Sequence, residues 1–128
     1  MARVPYVGPD EIDDEYSDLV VSTLQPGKTV NVYSAIGNNG PVLGGFRDFL
    51  GSLWSDSGLT DRQRELVILT AAAAVENEYE WHQHVNIAGG DLVSEEELAA
   101  LADGDDDVFE GAERALVQYA RAVVEGEV

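Results

Sequence analysis

The feature that most constrains the fold is an apolar run from Leu66 to Val75, in which only Thr70 is polar. A helix of this composition has no polar side to turn toward water, so it must be buried within the fold or between subunits. Glu65 directly precedes the run, and both histidines, His82 and His84, follow it closely. The carboxylate of Glu65 is therefore expected at a dry boundary.

The rest of the chain carries the signals of helices separated by breaks. Proline or a capping residue opens several segments, and apolar residues recur at spacings of three and four. Residues 29–36 are compatible with a strand or a short helix, and we favour the helix. At Asn77 a second capping pattern predicts either a new helix or a kink in one long helix. We predict an all-α bundle of about six helices. The segments are Pro9 to about Leu24, 29–36, Pro41 to about Trp54, Thr60 onward together with Asn77 to Ala88 (one kinked helix or two), Ser94 to Leu101, and about Val108 to Glu125.

Length and charge limit the organisation and the partners of the chain. At 128 residues it is expected to be a single domain, residues 1–128, for which self-association would bury further surface. The 25 acidic residues outnumber seven basic ones, for a formal net charge of −18. Because phosphate binding needs a basic stripe, neither nucleic acid nor an anionic membrane is an expected partner.

The acidic composition also indicates a source. Since 45% of the residues are apolar and fall in periodic blocks, we interpret the acid as a coat on a folded core. Such a coat, with a single lysine, is typical of halophilic proteins, although an ordinary acidic protein stays an alternative. No leader segment and no apolar run long enough to span a bilayer is found, so a cytoplasmic protein is expected.

The chain has no cysteine, which excludes a disulfide, a thiol nucleophile and a Cys-ligated metal. His82 and His84 are two residues apart and project to different sides of a helix, so they should not share a metal. Glu80 and His84 do share a face, but this spacing is more often an ion pair than a ligand set. We therefore expect no metal site.

Glu65 and His84 are the candidate catalytic residues. They are 19 residues apart, a distance that a helix and a return would close. Burial beside Leu66 and Leu69 disfavours the charged form of a carboxylate, and a nearby histidine could exchange protons with it near neutral pH. The alternative is that Glu65 pairs with an arginine at the helix start and that His84 is an ordinary core histidine. The two arginines in reach are Arg62 and Arg64.

Two aromatic residues, Tyr79 and Trp81, flank this cluster of acids and histidines. With Glu80 and His82 they could line a substrate pocket. Aromatic side chains beside a buried helix are also common in cores and interfaces, and that alternative stays open.

These residues resemble the carboxymuconolactone decarboxylase and alkylhydroperoxidase D-like family. The resemblance lies in Leu59-Thr-x-Arg-x-Arg-Glu65, in the alanine-rich helix, in Tyr79-Glu80-Trp81 and in His84-x-x-x-Ala88, and it covers roughly residues 30 to 102. It implies an all-helical subunit, a closed homo-oligomer such as a trimer or hexamer, and a pocket near a subunit interface. Members usually continue with further helices, so the resemblance also implies C-terminal helices that are missing after Glu125.

In the redox branch of that family, a glutamate is followed by a cysteine twelve residues on, a second cysteine three later and a histidine after four more. The corresponding residues are Glu65, Asn77, Glu80 and His84. The proton-handling pair is kept and both sulfurs are absent, so the dithiol mechanism of peroxide reduction is excluded.

The resemblance thus implies that the protein is of the decarboxylase-like branch. The activity implied is that of a carbon-carbon lyase that needs no organic cofactor. We expect an acid/base enzyme acting on a small carboxylated or lactone substrate, with His84 as general acid or base and Glu65 as its proton partner. Two alternatives stay open: an inactive family member that serves as a binding or assembly module, and a peroxidase-type activity that rests on the family label only.

Overall fold

The computed structural model describes residues 3–25 and 27–128, and within these residues the chain forms six α-helices and no strands. The predicted all-α class is therefore confirmed. Contacts between residues divide the chain into two compact units, a first that ends at Ser57 and a second, Gly58–Val128. That residues 1–128 form a single domain stays a prediction. The helices are α1 Asn31–Ile36, α2 Gly40–Asp56, α3 Asp61–Ala74, α4 Glu78–Ala88, α5 Glu95–Asp103 and α6 Gly111–Glu125, preceded by the 3₁₀ turns Pro9–Glu11 and Ser17–Val20.

The prediction of one helix from Pro9 to Leu24 is wrong, since this segment forms only the two short 3₁₀ turns. Acidic residues recur here at helical spacing without a basic partner, and like charges three or four residues apart destabilise a helix. The Glu11 carboxylate instead accepts a hydrogen bond from the backbone N–H of Gly8 at 2.8 Å, which closes the first turn on itself.

In the first unit, α2 is placed by a close contact at its start. The ring of Tyr16 lies so near Gly40 that a Cβ atom there would come within 2.3 Å of it. Only glycine allows this approach. Leu43, one turn further along α2, is fully buried, as is Val20. The predicted short helix after residue 29 is confirmed as α1, and α2 begins at the predicted break and ends two residues beyond Trp54.

Helix α3 is the centre of the second unit and contacts α4, α5 and α6. A capping box opens it, in which Thr60 Oγ1 accepts from the N–H of Gln63 and Gln63 Oε1 accepts from the N–H of Thr60. Thr70, the polar residue of the apolar run, donates from its hydroxyl to the carbonyl of Leu66 at 2.6 Å. The core around α3 contains Leu66, Leu69, Ala88, Val93, Leu101, Phe109 and Val117.

The expectation that the apolar run is buried on every side holds for only part of it. Leu66, Leu69 and Ala72 are buried, whereas Val67 and Ile68 are half-buried and Val75 is 56% exposed. One side of α3 is thus left partly open to solvent within a single chain.

Three helices of the second unit end in the same Schellman motif. In α5 and α6 the left-handed position is held by Gly104 and Gly126, with φ of 75° at both. At the end of α3 it is held by Glu76, with φ of 53°. The N–H of Asn77 donates to the carbonyl of Ala72 at 2.9 Å, which completes the motif. A non-glycine residue in this conformation is strained by about 1 kcal/mol.

The remaining boundaries follow their caps. Asn77 accepts from the N–H of Glu80 at 3.1 Å and starts a new helix, α4, so the alternative of a kinked long helix is wrong. Ser94 and Glu97 form the capping box that opens α5. Helix α6 begins at Gly111, three residues later than predicted, because Asp105 Oδ1 accepts from the N–H of Asp107 and holds the preceding acidic segment in a turn.

Arg62 ties the starts of three helices together. Its guanidinium donates to Glu97 of α5 at 2.6 Å, to Glu113 of α6 at 2.8 Å and to the carbonyl of Leu92 at 2.6 Å. Hydrogen bonds from Arg62 lower the pKa of Glu97 to about 2 and also lower the pKa of Glu113. One guanidinium therefore pairs with two carboxylates where three helices meet.

Replacing Arg62 should destabilise the second unit. In Arg62→Gln we expect the free energy of unfolding at pH 7 to fall by about 1–3 kcal/mol, since several charge-assisted hydrogen bonds are lost. The contribution from Glu97 is full above its ordinary pKa of 4.5 and is lost as the pH falls toward about 2, so wild type and variant should converge over that range. Urea unfolding followed by circular dichroism measures both.

The matched control for this variant is Arg114→Gln. Arg114 pairs with Asp107, and both side chains are exposed, so this change should alter the free energy by less than about 0.5 kcal/mol. Equal destabilisation by the two variants would contradict the role given to Arg62.

Candidate active site

The structure brings Glu65 and His84 together inside the second unit. Glu65 lies on the second turn of α3 and is fully buried, and His84 lies on α4 and is buried as well. The distance from His84 Nδ1 to Glu65 Oε2 is 2.8 Å. The capping box at Thr60 and the turn at 75–77 fix the positions of α3 and α4, so both side chains are held by regular helices rather than by loops.

The other nitrogen of His84 faces a second carboxylate. His84 Nε2 lies 3.4 Å from Glu80 Oε1, one turn earlier on α4, and the Glu80 side chain is 42% exposed. Three groups thus form a row from solvent to the core: Glu80, the imidazole of His84, and Glu65. An imidazole can take a proton on one nitrogen and release one from the other, so this row can pass a proton inward or outward.

The two carboxylates decide the charge of the imidazole. Burial alone would lower the pKa of His84, but the hydrogen bonds to Glu65 and Glu80 outweigh it and raise the pKa of His84 to about 9. In turn, the hydrogen bond to His84 lowers the pKa of Glu80. Near neutral pH the ring is an imidazolium that donates from both nitrogens. Its protonation stabilises the fold fully below pH 6.5, and that contribution is lost as the pH rises toward 9.

Of the two arginines that the alternative interpretation pairs with Glu65, Arg64 lies within ion-pair distance of it, whereas Arg62 pairs with other acids. Arg62 is engaged with Glu97 and Glu113. Arg64 forms an ion pair with Asp61 at 2.9 Å, and its Nε lies 4.0 Å from Glu65 Oε1. The hydrogen-bonded partner of Glu65 is therefore His84. Glu65 Oε1 itself is buried and accepts no hydrogen bond from the described residues, which leaves one carboxylate oxygen available.

Beside this row, the surface of the second unit has an open groove with a volume of about 180 Å³. Of the residues expected to line a pocket, the groove includes Trp81, whereas Tyr79 and Glu80 are half-buried outside its lining and His82 is exposed. Neither Glu65 nor His84 lines it. The complete lining is Ala72, Ala73, Glu76, Asn77, Glu78, Trp81 and Ala102.

Two further properties concern the described part of the chain, residues 3–25 and 27–128. Within it, no three side chains of histidine, aspartate or glutamate converge in a way that could hold a metal ion. None of its helices combines the length and apolar character that a membrane crossing requires.

The site can transfer protons. It contains an imidazolium between a buried and an exposed carboxylate, and such a row can act as a general acid or base at a reacting carbon or oxygen. Fold and site together define an all-α protein with a buried Glu–His pair and no thiol.

The chain belongs to the carboxymuconolactone decarboxylase family, whose family model matches residues 41–122, more than half of the chain. Searches of curated proteins and of solved structures returned no match. Family membership makes this a carboxymuconolactone decarboxylase-like or alkylhydroperoxidase-like protein. The absence of cysteine places it with the members that lack the dithiol.

Sequence reasoning missed two features of this region. The first is the pairing of Arg62 with the acids Glu97 and Glu113, because Arg62 was expected only as a partner of Glu65. The acidic residues at the starts of α5 and α6 are the signal that could have indicated this pairing. The second is Glu76, whose left-handed conformation is usually found at glycine or asparagine, so no residue type pointed to it.

The charge of His84 can be measured directly. In a ¹⁵N NMR titration we expect the His84 ring to stay protonated through pH 7 and to titrate near pH 9. Glu65→Gln should lower this pKa toward 6.5 or below, because burial then acts with only one compensating carboxylate. Glu80→Gln should lower it less, since the hydrogen bond to Glu65 remains.

The His82→Gln variant assigns the signals to the correct ring in this titration. A His84 ring that is neutral at pH 7 in the wild type, or a titration unchanged by Glu65→Gln, would contradict the geometry described for the pair.

Proposed function

We propose that this protein is an acid/base enzyme of the decarboxylase-like kind, acting without an organic cofactor on a small carboxylated or lactone substrate. The observation that carries the proposal is the row Glu80–His84–Glu65, in which an imidazole links a partly exposed carboxylate to a fully buried one. Burying a carboxylate against an imidazole is costly unless the pair is well satisfied, and one Glu65 oxygen is left without a hydrogen bond. Such an arrangement is typical of a functional site.

The imidazolium of His84 is the general acid in this proposal. When a substrate loses CO₂, the electron pair of the broken C–C bond stays on the substrate carbon, and that carbon takes a proton from His84. Glu65 holds the ring in orientation through Nδ1 and stabilises its charged form. Glu80 then restores the proton on Nε2 from solvent, which returns the site to its starting state.

The same row supports proton transfer next to the carbonyl of a lactone. The formal net charge of −18 repels an anion, so a lactone with no free carboxylate meets less repulsion on approach than a carboxylated acid does. A lactone with no free carboxylate cannot lose CO₂, so with such a substrate the row would only exchange a proton next to the carbonyl, whereas decarboxylation needs the carboxylated kind. Family membership supports the general class of protein and does not choose between the two substrate kinds.

The proposal is tested with a panel of small γ-lactones, with and without a carboxyl group. Turnover is followed by CO₂ release and, in D₂O, by deuterium incorporation next to the carbonyl. Glu65→Gln and His84→Gln should each lower kcat about 10²–10⁴-fold, the usual contribution of a positioned proton donor.

Glu95→Gln is the matched control, because Glu95 is an exposed glutamate on the first turn of α5 and its loss changes the net charge equally. This variant should turn over at the wild-type rate. If Glu65→Gln left the turnover of a reactive lactone unchanged, the relay would be abandoned.

A role in assembly is the second candidate, and exposed apolar side chains favour it. On α2, Val42, Phe49 and Leu53 lie at helical spacing and are exposed, with Phe49 at 60%. On α6 the exposed Tyr119 and Val123 are four residues apart. Contiguous apolar stripes of this kind are common at subunit contacts. We propose that they are covered in a homo-oligomer such as a trimer or hexamer.

Analytical ultracentrifugation tests the assembly. The wild-type protein should sediment as an oligomer, and the association should strengthen between 0.1 and about 2 M KCl because salt screens the repulsion between acidic subunits. Phe49→Glu or Tyr119→Glu should yield monomers, whereas Glu95→Gln should not. A wild-type monomer at every salt concentration would remove this candidate and leave the acid/base proposal unaffected.

A further inference from the structure

The groove of the second unit has a composition unlike that of the proton row. Its lining contains three alanines and Trp81, together with the exposed residues Glu76 and Glu78, which we call its rim. None of the lining residues is basic. A volume of about 180 Å³ admits a small organic molecule but not a folded partner.

The charges around the groove favour a cation over an anion. The positive end of the α4 dipole, about half an elementary charge, points toward this region and would favour an anion. However, Glu78 on the first turn of α4 lines the groove, and Asn77 accepts the N–H of Glu80. With Glu76 added, the negative charge at the rim exceeds the dipole charge. An indole face also attracts ammonium groups.

The backbone at Glu76 adds to this picture. Glu76 holds the left-handed position that Gly104 and Gly126 hold at the ends of α5 and α6. Glycine would relieve the strain at this position, and strained residues concentrate at binding sites. Glu76 therefore lies at the rim although its left-handed backbone conformation is unfavourable for a glutamate.

We propose that this groove binds a small organic ammonium ion with an apolar body, such as an aryl or alkyl amine. The apolar part lies on the alanines and the indole of Trp81, and the ammonium group lies between the carboxylates of Glu76 and Glu78. Binding of this kind is independent of the proton row, since neither Glu65 nor His84 lines the groove.

Three probes of one shape and different charge test the proposal: benzylammonium, benzyl alcohol and benzoate. Binding is measured from backbone amide shifts of residues 76–81 and the indole N–H of Trp81 in ¹H–¹⁵N spectra at constant ionic strength. Benzylammonium should bind most tightly and benzoate least. Glu76→Gln combined with Glu78→Gln should weaken benzylammonium about three- to tenfold and leave benzyl alcohol unchanged.

Two further variants separate charge from shape. Trp81→Leu should weaken both benzylammonium and benzyl alcohol, because each uses the indole. Glu76→Gly should stabilise the protein by relieving the left-handed strain and still weaken benzylammonium, a pair of effects that a purely structural role for Glu76 does not produce.

The charge-matched control is Glu110→Gln combined with Glu127→Gln, since both residues lie outside the groove lining and the net charge changes equally. This control should keep benzylammonium affinity within about twofold of the wild type. Benzoate binding as tightly as benzylammonium, equal weakening by the control, or shifts confined to residues outside the groove lining would each overturn the proposal. None of these outcomes bears on the titration of His84, so the groove and the proton row stand or fall separately.

Discussion

The second unit depends on one buried contact, the hydrogen bond between Glu65 and the imidazole of His84. A fully buried carboxylate is highly unfavourable unless a cation or strong donors compensate it. Here the compensation comes from a histidine 19 residues away, which holds α3 and α4 in one register. Well-packed hydrophobic residues are often at least as stabilising as a buried ion pair, so stability alone does not account for two titratable groups in this core.

The same contact forms the centre of the candidate site in a chain that has no cysteine thiol. At the positions where the redox branch of the family has cysteines, this chain has Asn77 and Glu80. Asn77 caps α4, and Glu80 reaches the outer nitrogen of His84. Asn77 and Glu80 therefore supply a helix cap and a second carboxylate in place of two thiols. The carboxylate can take up and release protons, whereas no thiol is present to be oxidised.

The parts that were predictable from sequence are those that local chemistry decides. The capping box at Thr60, the new start at Asn77 and the apolar run of α3 are visible as residue patterns, and so is the spacing that joins Glu65 to His84. The N-terminal segment misled because a proline followed by acids is typical of a helix start, while the repulsion among those unpaired acids disfavours a longer helix. The groove and the strained Glu76 could not be predicted, because they arise from how α3, α4 and α5 pack in three dimensions.

The most direct test of the central claim is the detection of the proton that joins the two buried groups. With ¹⁵N-labelled histidine, the Nδ1–H of His84 should give a far-downfield proton signal at pH 7 that exchanges slowly with water and is absent in Glu65→Gln. That result would show a shielded, strongly hydrogen-bonded proton between His84 and Glu65. A His84 Nδ1 that carries no proton, or whose proton exchanges rapidly and survives Glu65→Gln unchanged, would contradict the account.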